Sequence, residues 1–326
     1  MVQWRRLAAV CMAGACVLSA CTARRSAAAA EPGTSQPTEP ASQILTPGST
    51  RGSIEFHGVT RTYALYVPAS LQPGVPAELV VALHGGGGNA ANLERTVGLD
   101  SIAEREGFLV VYPDGSGRLE DILLTWNAGN CCGYALDEQV DDVGFVRAVV
   151  DQLSGMYAID PHRVFATGMS NGGMMSYRLA CEAADLFAAV AHVAGALNVA
   201  DCEPVEPVSV LAIHGAADQH VLFEGGPPIV KADVHERVDR SVHYAMTFWA
   251  ARDGCGLGPV VEQSGAVMHE SYIGCQPGLS VELLAVEGGG HAWPGAVKFT
   301  AQGDEPSPDL NASEAMWEFF AAHPKP

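Results

Sequence analysis

The chain predicts an α/β fold with a mostly parallel sheet flanked by helices. Three observations carry this. Strand-like segments recur at 79–83, 108–112, 164–169, 188–193, 208–213 and 281–286, and 79–83 is a continuous apolar run, as in a strand covered on both faces. Helix-like stretches alternate with them at 92–106, 143–157, 172–181, 244–253 and 312–322, the order that builds parallel sheets. Turns rich in glycine, histidine and aspartate follow several strands, and in such sheets function gathers at the carboxyl ends of strands. Ahead of these runs, Thr60, Tyr63, Leu65 and Val67 begin an alternating, hairpin-like pattern.

Length and charge narrow the possibilities. A chain of 326 residues can bury a large core, and the regular segments imply one catalytic domain over 51–326. Asp and Glu total 37 against 18 Lys and Arg, for a formal charge of −19. That field repels nucleic acid and polyanions, and no basic stripe offsets it. Residues 1–20 are expected to be a targeting segment: Arg5 and Arg6 precede an apolar run too short to span a bilayer. The run ends in Leu18-Ser19-Ala20-Cys21, which resembles a bacterial lipoprotein signal box. The resemblance implies a lipidated Cys21, export, and anchoring at the outer face of the cell membrane. Residues 21–50, rich in Ala, Pro, Ser and Thr, are expected to be a flexible tether.

Cysteine usage agrees with export. Of the 9 cysteines, Cys11 and Cys16 lie in the leader and Cys21 in the lipid box. The remainder is an even set, which in an oxidising compartment suggests disulfides. Cys255 and Cys275 flank a short excursion and form the first expected pair. Cys181 and Cys202 form the second. Cys131 and Cys132 are adjacent, so joining them to each other is expected to strain the peptide, and crossed pairing with Cys181 and Cys202 stays open. No CxxC or HxxxH spacing suggests a metal.

The strand tips carry the chemistry. The strand over 79–83 ends in His84-Gly85-Gly86-Gly87-Gly88-Asn89, and the one over 164–169 turns at Gly168-Met169-Ser170-Asn171-Gly172. The strand over 208–213 ends in His214-Gly215-Ala216-Ala217-Asp218, and the last one in Gly288-Gly289-Gly290-His291-Ala292-Trp293. A serine on a sharp strand-to-helix turn holds its hydroxyl clear of the sheet, and Ser170, Asp218 and His291 occur in the chain order of α/β-hydrolases. A serine hydroxyl needs a base at neutral pH; His291 is that candidate, and Asp218 orients its ring. The backbone N–H groups of Asn171 and Gly86 are the expected oxyanion donors. His84 and His214 are expected to be structural hydrogen-bonders, and Asp141 and Asp142 helix caps. Trp126 and Trp293 are core residues or walls of a substrate pocket. The Gly85–Gly88 run lacks the Gly-Lys-Ser/Thr ending of a phosphate cradle.

The motif Gly168-Met169-Ser170-Asn171-Gly172-Gly173-Met174-Met175, preceded by Asp160-Pro161-His162-Arg163-Val164-Phe165, resembles the polyhydroxybutyrate depolymerase and feruloyl esterase family. Trp126-Asn127 with Cys131-Cys132-Gly133, Asp141-Asp142-Val143-Gly144-Phe145, and Gly289-Gly290-His291-Ala292-Trp293-Pro294-Gly295 strengthen the likeness. It covers roughly residues 53–323, and with the leader the chain is similar to mycobacterial esterase lipoproteins. The resemblance implies an α/β-hydrolase fold, serine esterase chemistry with no cofactor, and Ser170, Asp218 and His291 as triad. The short connection before residue 208 leaves no room for a large lid, which suits feruloyl or acetyl esters of saccharides, or short hydroxyalkanoate oligomers. An acyltransferase with the same triad and a catalytically silent surface-binding lipoprotein are the other classes.

Overall fold

The structure is a computed structural model and describes residues 46–230 and 236–325. The expected signal segment, Cys21 and most of the tether lie outside the described residues. The first strand, β1 (Gly48–Phe56), takes in Gly48, Ser49 and Thr50, which composition alone assigned to the tether. It pairs antiparallel with β2 (Val59–Val67) from Gly48–Val67 to Phe56–Val59.

The chain continues through β3 (Ala77–Leu83), α1 (Ala90–Val97), α2 (Leu99–Glu106), β4 (Leu109–Pro113), α3 (Gly133–Asp137), α4 (Asp142–Met156), β5 (Ile159–Met169), α5 (Asn171–Glu182), β6 (Ala189–Val193), β7 (Ser209–Gly215), α6 (Val242–Arg252), β8 (Leu257–Ser264), β9 (Val267–Ile273), β10 (Val281–Val286) and α7 (Ala312–Ala322). One sheet forms in the order β1-β2-β4-β3-β5-β6-β7-β10-β9-β8. Its centre, β4-β3-β5-β6-β7-β10, is parallel, and antiparallel strands border it on both sides. The α/β-hydrolase arrangement expected from the sequence is thus the one observed. The connection 194–208, between β6 and β7, holds no helix or strand, so no lid is inserted there.

Two apolar layers sandwich the sheet because alternate strand residues face opposite ways. Leu79, Val81 and Leu83 point into a core with Phe145, Val149, Met175 and Trp249 from α4, α5 and α6. Val80 and Ala82 point into a second core with Leu93, Ile102, Met316 and Phe320 from α1, α2 and α7.

Three local expectations change. The helix expected over 92–106 is two helices, α1 and α2, broken at Gly98 (φ 73°), a left-handed conformation that glycine adopts without steric cost. The excursion between Cys255 and Cys275 is the β8–β9 hairpin at the sheet edge. Cys255–Cys275 and Cys181–Cys202 are paired as expected, but Cys131 and Cys132 are joined to each other. With Cys181 and Cys202 closed on one another, no crossed partner is left. The adjacent pair is enclosed in its own turn, where Cys132 N–H donates to Trp126 O (3.0 Å) and Ala128 N–H to Cys131 O (2.5 Å).

Candidate active site

Ser170 stands at the junction of β5 and α5 with φ 56° and ψ −119°, a backbone region sparsely occupied by non-glycine residues. The turn closes only because its flanks lack side chains. A Cβ on Gly168 would lie 2.5 Å from the Gly172 carbonyl carbon, and one on Gly172 would collide with Leu83 O. Ser170 N–H donates to Val193 O of β6 (2.9 Å), which pins the turn to the neighbouring strand. Ser170 itself is half-buried, so its hydroxyl can be reached.

Asp218 follows β7 and is buried. Its Oδ2 accepts from His291 Nδ1 (2.7 Å), and its Oδ1 accepts the His220 and Val221 N–H groups (2.8 and 2.9 Å). Burial works against its charge. The bonded His291 ring, nearby His214 and the Val221 N–H outweigh it and hold the carboxyl below its ordinary range. An aspartate kept ionised this way fixes the proton on His291 Nδ1 and leaves Nε2 as the basic nitrogen. His291 is half-buried on a loop that Asp304 braces, its Oδ2 accepting the His291 N–H (2.6 Å). A side chain on Gly290 would collide with that carboxylate. Among the described residues the Ser170 hydroxyl makes no hydrogen bond, and the His291 ring bonds only to Asp218. Such hydroxyl–imidazole contacts are often long without substrate and tighten when it binds.

The glycine loop after β3 lies directly over this turn. A Cβ on Gly85 would sit 3.6 Å from Ser170 Cβ, and one on Gly86 3.6 Å from Asn171 Cβ. The N–H groups of Gly87 and Gly88 are occupied, by Leu124 O (2.8 Å) and Gly85 O (3.0 Å). The Gly85 and Gly86 N–H groups make no such backbone bond among the described residues, and Asn171 N–H lies at the positive end of the α5 dipole.

A polar scaffold fixes that loop. His84 is buried, and burial pushes its pKa down to about 4. The ring is neutral at pH 7. Its Nε2 accepts from Gly115 N–H (2.9 Å), which places its proton on Nδ1, directed at Gly85 O (2.8 Å). His214 is likewise buried, its pKa lowered mainly by burial, and its Nε2 lies 2.8 Å from Val221 O. Both histidines are structural, as expected.

Four residues take roles the sequence did not reveal. Trp126 is fully buried and donates its indole N–H to His84 O (2.9 Å). Trp293 is equally buried and donates to Ser313 Oγ (3.0 Å). Neither forms a wall that a substrate can touch; the pocket role is corrected to a supporting one, because each indole is enclosed where its N–H finds a partner. The Asn171 side chain was not singled out. It grips the Trp126 backbone at both ends, with Oδ1 accepting from N–H (2.7 Å) and Nδ2 donating to O (3.0 Å). Asp141 caps α4 by accepting Gly144 N–H (2.9 Å), but Asp142 is no cap. It is fully buried, accepting from Arg61 Nη2 (3.0 Å) and Asn127 N–H (2.8 Å).

A cleft of about 370 Å³ opens beside His291, lined by Gln219, His220, Gly290, Asp304 and Glu305 among others. No group of three or more His, Cys, Asp or Glu suited to a metal occurs among the described residues.

Residues 61–247 match the family model described as esterase PHB depolymerase. The chain belongs to this esterase family. It is 35% identical to the protein NocK of Nocardia uniformis subsp. tsuyamanensis, over 76% of this chain and 74% of that protein. It is 32% identical to feruloyl esterase C of Emericella nidulans, over 85% and 88% of the two chains. The structure superimposes on the acetyl xylan esterase from Aspergillus awamori with a TM-score of 0.58 and 16% identity, covering 84% of this chain and 99% of that one, a likeness of fold. The esterase is a carboxylic ester hydrolase.

Proposed function

We propose that the esterase works through a covalent acyl-enzyme on Ser170, with His291 as base and acid and Asp218 as its orienting carboxylate. The observation that carries this is the 2.7 Å bond between His291 Nδ1 and a buried Asp218, on loops that leave β10 and β7 at the same end of the parallel sheet as the strained Ser170 turn after β5. As Ser170 Oγ forms its bond to the ester carbonyl carbon, its proton passes to His291 Nε2. The carbonyl oxygen becomes an oxyanion held by Gly86 and Asn171 N–H. Each such donor contributes about 3–4 kcal/mol at the transition state. The bond from carbonyl carbon to alcohol oxygen then breaks, and His291 returns the proton to the departing alcohol. Water repeats the cycle, splitting the acyl–serine bond to release acid and free Ser170.

For substrate, the reading is an ester of a carboxylic acid with a polyhydroxylated alcohol, such as a feruloyl or acetyl saccharide, or a short hydroxyalkanoate oligomer. The polar cleft beside His291 supports an alcohol portion rich in hydroxyls, and the relatives named for feruloyl and acetyl xylan esters point the same way. A panel of feruloyl, acetyl-saccharide and hydroxybutyrate esters tests it. Release of acid and alcohol in equal amounts from at least one is expected; no turnover of any contradicts the substrate reading. The leader motif ending in Cys21 supports export and lipid anchoring, and a protein whose Cys21 carries no acyl mass would sink that part.

A further inference from the structure

We infer that Leu123 is the acyl-specificity residue, an apolar wall that selects acyl groups of several carbons or an aromatic ring over acetyl. The inference rests on the acyl-enzyme reading above and extends it to a residue outside the triad and oxyanion donors.

Residues 115–125 leave β4 and fold back as a narrow hairpin, bridged at Ser116–Thr125 and Leu119–Ile122. The hairpin is fastened to the glycine loop. Gly88 bridges to Leu124, Gly87 N–H donates to Leu124 O (2.8 Å), and Asn89 Nδ2 donates to Asp121 O (2.6 Å). Its tip holds Leu119, Ile122 and Leu123 at 54, 53 and 67% exposure. Folding alone does not explain these side chains. Leu123 (φ 56°) has a left-handed backbone, which suits glycine, asparagine or aspartate and strains a bulky residue. Strain of this kind, held in place by surrounding bonds, concentrates at functional sites.

The position of Leu123 says what it can touch. Its Cδ2 lies 4.0 Å from where a side chain on Gly87 would begin, while Gly85 abuts Ser170. The Gly85 and Gly87 Cα atoms are two chain steps apart, about 7.6 Å at most, so both contacts belong to one short stretch of the glycine loop. The sheet order supplies the direction. The hairpin follows β4 and sits on the β3/β4 side of β5, whereas Asp218 and His291 follow β7 and β10 on the other side. The departing alcohol must face His291 to receive its proton, so it takes the side with the polar cleft. The acyl chain leaves the carbonyl carbon away from His291, toward the leucine.

The test compares p-nitrophenyl hexanoate with p-nitrophenyl acetate, so that only the acyl group varies. Leu123→Gly is expected to lower the hexanoate-to-acetate ratio of kcat/KM about tenfold, in the range for lost apolar contacts in a site. Its Tm is expected to hold or rise, since glycine relieves the backbone strain. Leu123→Asn, which also tolerates this backbone, is expected to lower the ratio likewise, and Leu123→Met to restore it. Val205→Ala, at an exposed valine elsewhere, should leave the ratio unchanged. A ratio within twofold of wild type in both Gly and Asn variants overturns the inference while leaving the esterase reading intact. Absence of any Ser170-dependent turnover in the wild type overturns both.

Discussion

Ser170→Ala is expected to lower kcat on a simple aryl ester by about 10⁴-fold or more, and His291→Ala by a similar factor. Combining the two should cost little beyond either alone, because nucleophile and base act as one unit. What is expected to remain is turnover owed to binding and to the proposed oxyanion donors, the Gly86 and Asn171 N–H groups. For Ser170→Ala, far-ultraviolet spectra and Tm should stay close to wild type, since the Ser170 hydroxyl makes no hydrogen bond among the described residues. Stopped-assay kinetics on the purified protein read this directly, and wild-type rates in either variant would contradict it.

Arg61→Leu is expected to give the largest loss of stability. The guanidinium is buried against a fully buried Asp142 (3.0 Å), donates to Asp114 O (3.0 Å) and stacks 3.8 Å from the Phe145 ring centroid. Removing one member of a buried pair leaves the other charge uncompensated, at about 3–5 kcal/mol. For a domain of this size that lowers Tm by roughly 10 °C. Replacing both, in Arg61→Leu with Asp142→Leu, should recover part of the loss, because no lone charge is left. The recovery should stay incomplete, since Asp142 also accepts the Asn127 N–H next to Trp126. Calorimetry decides: a single variant within 2 °C of wild type would mean the pair contributes little.

The sequence made the fold legible where burial is two-sided. Strands such as β3, β4 and β7 hold continuous apolar runs, Leu79–Leu83, Leu109–Tyr112 and Val210–Ile213, so period and length alone identify them. The β8–β9 hairpin escaped because it lies at the sheet edge, with Val260 and Val261 exposed and polar residues between, and its pattern resembles a loop. The candidate triad was legible because each member ends a strand of the parallel sheet. The second layer was not. Trp126 and Asn171 are far apart in sequence, and no spacing rule announces that an asparagine side chain clasps a tryptophan backbone. Asp142 misled for a related reason: beside a capping Asp141 at a helix start, nothing local distinguishes a cap from a buried partner of Arg61. Leu123 went unnoticed because a leucine in a loop carries no motif; only its backbone angle and exposure mark it.

Ser170 as the covalent centre is tested most directly by reacting the purified protein with a fluorophosphonate and measuring intact and peptide masses. The account predicts stoichiometric loss of fluoride, one phosphonyl group on the peptide containing Ser170, and no adduct in Ser170→Ala. An adduct on another residue, or undiminished labelling of Ser170→Ala, would contradict it.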